Sequence, residues 1–211
     1  MISYILFDLD NTLYPSSLGL EDQVADRISI FVAEFLGMTP EAALKTRNEG
    51  IKKYGTTLEW LMNEKGLSDI ETYYAAIHPE GEERLEPNPG LRAYILSLPV
   101  PSAVFTNSPI EHADRILKRL GMADIFTHIF DIRWGGLQGK PAESSFRRVL
   151  DAIGKKPEEV LFVDDLPHYV EGFIRIGGLG ILLDEDGRHH GTPYPRIRSL
   201  YELDAYVGEQ N

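Results

Sequence analysis

The chain has 211 residues, 21 Lys and Arg against 33 Asp and Glu, a formal charge of −12 at pH 7, and no cysteine. A chain of this length can bury about 70% of its unfolded surface, while a charge this negative argues against nucleic acid or an anionic membrane as partner. Without cysteine there is no disulfide frame, no thiolate nucleophile and no Cys-type zinc site. No apolar stretch reaches the ~18 residues of a membrane span, and the start lacks the basic segment and cleavage site of a signal peptide, so a cytoplasmic location is expected.

The first apolar run, Tyr4-Ile5-Leu6-Phe7, is short, aromatic and β-branched and predicts a buried parallel strand. It stops abruptly at Asp8-Leu9-Asp10-Asn11-Thr12. In an open α/β sheet, ligands bind beyond the carboxyl ends of the strands, and residues two apart point the same way. Leu9 can thus face the core while Asp8 and Asp10 face the crevice, although an Asx turn would also place acids there.

Beyond Tyr14 the strand pattern disappears for some seventy residues, and Val24, Ile28, Phe31, Val32, Phe35 and Leu36 recur at helical spacing. Thr39-Pro40-Glu41 predicts a second helix start, with an N-cap and Pro at the first helical position. Further helices are expected around 58–62 and 70–77. Trp60, Tyr54, Tyr73 and Tyr74 could stack on a nucleobase, but aromatic residues at helical spacing also build cores. The Pro-, Gly- and charge-rich stretch 78–90 then reads as a returning linker.

Strands and helices alternate from there on. Strands are predicted at Ser102–Thr106, Ile129–Asp131, Val160–Asp164 and Leu179–Leu183, with helices near 90–98, 109–120, 142–153 and 168–176, the pattern of a doubly wound parallel sheet. Ser108-Pro109-Ile110-Glu111 has the form of a capping box, with Ser108 as the cap. The expected architecture is an α/β core of residues 1–14 and 87–211, interrupted by an all-helical cap over 15–86 that overhangs the crevice and can exclude water. His189-His190 lie in a polar stretch that suits a surface loop better than a metal site.

Three more polar groups follow the later strands. Thr106 and Asn107 precede a helix start, where a hydroxyl and free N–H groups can receive an anion. Lys140 follows the glycine-rich segment 135–139, and Asp164-Asp165 are adjacent like charges whose repulsion a bound cation would relieve. Read singly, Lys140 could be solvated surface and the acidic pair an exposed turn. Together, hard oxygen donors beside candidate anion-binding groups suit Mg²⁺-assisted phosphoryl transfer.

These segments resemble, in order and position, the four motifs of the haloacid dehalogenase superfamily of phosphohydrolases, and the helical insertion resembles its helical cap. Asp10-Asn11-Thr12-Leu13-Tyr14-Pro15, Lys53-Tyr54-Gly55-Thr56-Thr57-Leu58, Phe105-Thr106-Asn107, His112-Ala113 and Lys140-Pro141 are similar to the pyrimidine 5′-nucleotidase-like branch. The resemblance implies that Asp8 attacks phosphorus to form an aspartyl-phosphate and that Asp10 is the general acid and base. It also implies Mg²⁺ held by Asp8, the Asp10 carbonyl and Asp165, with Asp164 in or just outside the coordination sphere. Thr106, Asn107 and Lys140 would bind the phosphoryl group. Asp10 favours phosphatase over dehalogenase, because dehalogenase members lack an acid two residues beyond the nucleophile. The implied substrate is a small phosphorylated metabolite, foremost a nucleoside 5′-monophosphate, with a sugar phosphate or phosphoglycolate as the alternative. A non-catalytic phospho-acceptor or ligand-binding module is the alternative of a different class. After the acidic pair, Leu166-Pro167-His168 departs from the small polar residue usual in the family.

Overall fold

A computed structural model describes residues 1–79 and 85–208. The predicted linker over 78–90 therefore lies partly outside the described residues. Six parallel strands, β1 (Tyr4–Phe7), β2 (Ser102–Phe105), β3 (Ile129–Phe130), β4 (Val160–Asp164), β5 (Leu179–Leu183) and β6 (Arg196–Ile197), form one sheet in the order β3-β2-β1-β4-β5-β6. The order reverses between β2 and β4 on either side of β1, which is the switch point where a doubly wound sheet opens its crevice.

Alternation of side chains supplies two cores from the same strands. Ile5, Phe7 and Leu9 pack with Val104, Leu161, Val163 and Ile181 beneath the helices α5 (Pro89–Ser97) and α6 (Ile110–Leu120). Tyr4 and Leu6 face the other way, joining Phe105, Phe130 and Phe162 beneath α7 (Glu143–Ile153) and α8 (Pro167–Arg175). There Phe146 meets Phe105, Phe162 and Phe173 at ring separations of 5.3–5.5 Å, a spacing at which tilted and edge-on aromatic pairs add to simple burial. The last described helix, α9 (Asp204–Val207), closes the first face through Val207 and the preceding Leu203.

Between β1 and α5 the chain is helical, as the 3.6-residue periodicity predicts: α1 (Leu20–Leu36), α2 (Pro40–Tyr54), α3 (Thr57–Glu64) and α4 (Ile70–Ile77). Thr39 caps α2 through its hydroxyl, 3.4 Å from the Ala42 amide, and Thr56 and Asp69 cap α3 and α4 in the same way. Val32, Ala43, Leu58, Trp60, Leu61, Tyr73, Tyr74 and Ile77 form a third core, reached from the sheet domain by Ile132. Trp60 is 1% exposed and lies against Gly50 of α2, where a Cβ would run into its ring. The aromatic residues here are therefore mainly core, as their spacing allows. Among the described residues no helix is long and apolar enough to cross a membrane.

The predicted capping box at α6 is not what forms. Pro109 is the N-cap and makes no side-chain bond; the carboxylate of Asp131 accepts the Ile110 amide at 3.1 Å instead. Ser108 is drawn away because its hydroxyl donates to Oδ2 of Asp10 at 2.7 Å. A charge-assisted bond to a buried carboxylate is stronger than a neutral cap.

Candidate active site

All four sequence motifs meet at the carboxyl edge of the sheet. Parallel pairing of Phe7 with Val163 puts Asp8, just beyond β1, beside Asp164 at the end of β4, and the Asp8 amide donates to the Val163 carbonyl at 2.9 Å. Strand register thus juxtaposes two acids that are 156 positions apart in the chain. Asn11, at φ 56°, turns the chain beyond them through the left-handed region, which Asn enters more readily than other side chains.

Lys140 joins the two. It is fully buried, and its ammonium donates to Oδ1 of Asp8 at 2.6 Å and to Oδ2 of Asp164 at 2.7 Å. The rings of Phe105, Phe162 and Tyr169 surround it at 5.0–5.4 Å. Burial alone would discharge this lysine, but Asp164 and Asp8 more than reverse that and hold its pKa above the usual lysine value. Burial likewise pushes the pKa values of Asp8 and Asp164 up, against the opposing pull of Lys140.

Asn107 explains how an isolated lysine comes to be placed so well. Its side-chain amide donates to the Lys140 carbonyl at 3.0 Å and its Oδ1 accepts the Lys140 amide at 2.8 Å, so it grips the lysine backbone from both sides. A Cβ on Gly139 would collide with that side chain. Thr106 lies at the end of β2 with its hydroxyl oxygen accepting the Ser108 amide at 3.0 Å, which leaves the hydroxyl proton to donate.

Asp10 is held by three donors: Tyr14 and His112 on Oδ1 and Ser108 on Oδ2, each at 2.7 Å. Its burial would raise the pKa, but His112 and these hydrogen bonds keep the carboxyl well below the usual carboxylate range. An ionised carboxylate only accepts, so the His112 Nε2 carries the proton in that contact. The sequence identifies Asp10, but it marks Ser108 only as a helix cap and His112 only within a segment of family resemblance; that both reach Asp10 from across the sheet emerges from the fold. Glu21, at the start of α1, is a further carboxyl that patterning misses; burial and the proximity of Asp10 push it up to about 8.

Asp8, Asp164 and Asp165 each offer a carboxylate oxygen within 4.8 Å of the others, the one such metal-suited trio among the described residues. His189 takes no part: its backbone amide donates to Asp184, consistent with a loop role. The trio fits a hard divalent cation such as Mg²⁺, which prefers carboxylate oxygens. Burial and neighbouring Asp164 push Asp165 up to about 7, a repulsion that a bound cation would relieve. Asp164 is the least available of the three, since Lys140 occupies Oδ2 and the Leu166 amide occupies Oδ1 at 2.8 Å. Asp8, Asp10, Thr106, Asn107, Lys140 and Asp165 line a cavity of about 550 Å³ whose opposite wall comes from α1–α4, whereas Asp164 stands behind it.

A family model for haloacid dehalogenase-like hydrolases matches residues 2–177. The chain belongs to this family. The haloacid dehalogenase-like fold is also that of the magnesium-bound hydrolase YfnB of Bacillus subtilis, which superposes with a TM-score of 0.64 over 99% of both chains at 20% identity. Among curated haloacid dehalogenase-like relatives, the chain is 28% identical over 176 residues to a glyceraldehyde 3-phosphate phosphatase of Pyrococcus furiosus, covering 78% of this chain and 72% of the relative. It is 30% identical over 132 residues to phosphate metabolism protein 8 of Saccharomyces cerevisiae, covering 58% of this chain but 41% of that protein's length.

Proposed function

We propose that this haloacid dehalogenase-like chain is a Mg²⁺-dependent phosphatase of a small phosphate monoester, working through an aspartyl-phosphate on Asp8. The observation that carries the proposal is a buried carboxylate pinned by Lys140 at 2.6 Å, beside Asp165, at one end of a cavity. Asp8, Asp165 and the backbone of Asp10 would hold Mg²⁺, with Asp164 orienting Lys140 from behind. The bound cation supplies positive charge that lets an anionic carboxylate approach an anionic phosphate.

The residues then divide the work. The Asp8 oxygen that does not receive the Lys140 ammonium attacks phosphorus, splitting one hard displacement into two easier ones. The Thr106 hydroxyl and the backbone amide of Asn107 donate to the phosphoryl oxygens, and Lys140 neutralises their charge. Asp10, held ionised by Tyr14, Ser108 and His112, is ready to take the proton from the water that hydrolyses the intermediate. Protonating the leaving alkoxide in the first half-reaction requires that Asp10 carry a proton when the ester binds. Residues 15–86 act as the cap, with α1–α4 closing over the cavity and excluding water.

For the leaving group, motif resemblance favours a nucleoside 5′-monophosphate. A second reading, a three-carbon phosphate, is supported by the activity named for the Pyrococcus relative. Phosphate release from p-nitrophenyl phosphate, with and without Mg²⁺, tests the proposal. Asp8→Asn should reduce Mg²⁺-dependent turnover by roughly 10⁴-fold or more. A long-lived phosphoprotein without turnover would favour a signalling module instead, and full activity in the variant would require another nucleophile.

A further inference from the structure

Arg47 stands out against an acidic molecule. Five other arginines, at positions 92, 133, 147, 188 and 196, are paired with carboxylates, and Arg27, Arg148 and Arg198 bond to neutral groups away from the cavity, so what sets Arg47 apart is where it sits. Arg47 is half-buried on α2 and lines the same cavity as Asp8 and Lys140, and no carboxylate faces it among the described residues. Its partners are neutral. Nε donates to Thr57 Oγ1 at 3.0 Å, and Nη1 donates to Ser29 Oγ at 3.1 Å and to the Ala25 carbonyl at 3.5 Å. These contacts, from α1 and α3, fix the guanidinium plane and leave Nη2 without a protein partner among the described residues.

A guanidinium fixed in this way and partly stripped of water has already met much of the cost of binding an oxyanion. Burial lowers the pKa of Arg47 from its ordinary value, yet an arginine stays charged throughout the physiological range. The cavity therefore presents two separated cations: Lys140 at the phosphoryl end, where Asp8 and Asp164 already neutralise it, and Arg47 on the cap wall, where no carboxylate among the described residues does. A ligand carrying one phosphate at the first end and only neutral groups elsewhere would leave the second cation enclosed and unanswered.

We propose that Arg47 binds a second anionic group of the substrate, so that the preferred ester carries a carboxylate or another phosphate at the end remote from the scissile bond. The proposal rests on the phosphatase reading above but not on its choice of leaving group: Arg47 sets a doubly anionic small ester ahead of both the nucleoside 5′-monophosphate and the uncharged three-carbon aldehyde. It makes Arg47 a specificity-determining residue of the cap.

The test is a matched pair of three-carbon esters, 3-phosphoglycerate and glyceraldehyde 3-phosphate, which differ in whether the far carbon is a carboxylate or an aldehyde. With Mg²⁺ present, the ratio of their kcat/KM values should favour 3-phosphoglycerate by about 10- to 100-fold, the range for hydrogen bonds to a charged group. Arg47→Gln should bring that ratio to within about threefold of one, and Arg47→Lys, which keeps the charge but loses the planar fork, should fall between. A purely structural Arg47 would depress both esters equally and leave the ratio intact, which would overturn the proposal. So would a wild-type ratio near one, or uridine 5′-monophosphate exceeding 3-phosphoglycerate as substrate. Should the wild-type protein hydrolyse no ester, p-nitrophenyl phosphate included, the phosphatase reading fails on its own. Calorimetric titration with 3-phosphoglycerate then decides about Arg47: binding weakened about tenfold or more by Arg47→Gln supports it, and equal or absent binding refutes it.

Discussion

Replacing Lys140 with Met removes one charge while keeping an unbranched side chain of similar length. The ammonium lies 2.6 and 2.7 Å from its two carboxylate partners, and at an effective dielectric near 20 each attraction is about 6 kcal/mol. Most of that offsets the desolvation of three charges. What remains when one side of a buried pair is deleted is about 3–5 kcal/mol, because Asp8 and Asp164 then face each other without a cation between them. The Met thioether would rest among Phe105, Phe162 and Tyr169, surroundings that suit sulfur, so the loss reports charge rather than volume. Urea unfolding at pH 7 in EDTA should show Lys140→Met destabilised by about 3–5 kcal/mol. Adding Asp164→Asn to it should cost less than Asp164→Asn costs in the wild type, since the second change removes a carboxylate that has lost its partner. A single-variant loss below about 1 kcal/mol, in the range of an exposed pair, or strict additivity in the double variant, would refute the account of Lys140 as the keystone of a buried triad.

Asp10→Asn should lower turnover of alkyl phosphates more than that of p-nitrophenyl phosphate, whose leaving group needs no proton. Equal losses across a leaving-group series would argue against a general-acid role. Asp184, 4% exposed at the side chain, accepts the amides of Arg188 at 2.8 Å and His189 at 3.3 Å together with Nη1 of Arg196 at 2.9 Å. Its burial favours the neutral form, but these donors outweigh it and lower the folded pKa. The resulting stabilisation is present above the unfolded pKa, about 4, and is lost as pH falls through the lower folded value. Asp184→Asn should therefore cost about 1–2 kcal/mol at pH 7, with the gap from wild type closing in unfolding curves taken progressively below pH 4. A gap unchanged from pH 7 to pH 3 would show that charge is not what these donors recognise.

The elements with continuous apolar runs were the ones the sequence could place. β4 and β5 have the predicted bounds, and β2 and β3 each stop one residue early, where Thr106 and Asp131 turn to polar partners. The two-residue β6, Arg196–Ile197, gives no pattern to detect, since Pro195 precedes it and one turn of alternation is indistinguishable from loop. In the site, acids at strand ends were legible because burying them serves no packing purpose. Lys140 was legible by chemistry but not by burial: read alone a lysine is surface, and only the meeting of Asp8 with Asp164 makes a fully enclosed ammonium stable. Ser108 reads locally as a cap because sequence distance hides Asp10, 98 positions away. Nothing in the sequence singles out Arg47, since having only neutral partners among the described residues is a property of three helices brought together and of no segment by itself.

Because odd and even residues of β1 serve opposite cores, displacing that strand by a single rung would exchange Phe7 for Asp8 in the apolar interior. The same mismatch would carry the carboxylate away from its ammonium, so an enzyme assembled with faulty pairing is both unstable and inert, and proofreading of one amounts to proofreading of the other. The helices α1–α4 carry no such obligation to the ladder. On the proposed function, new leaving groups could be tried on that wall by exchanging side chains such as Arg47, while the residues beneath are inherited unaltered.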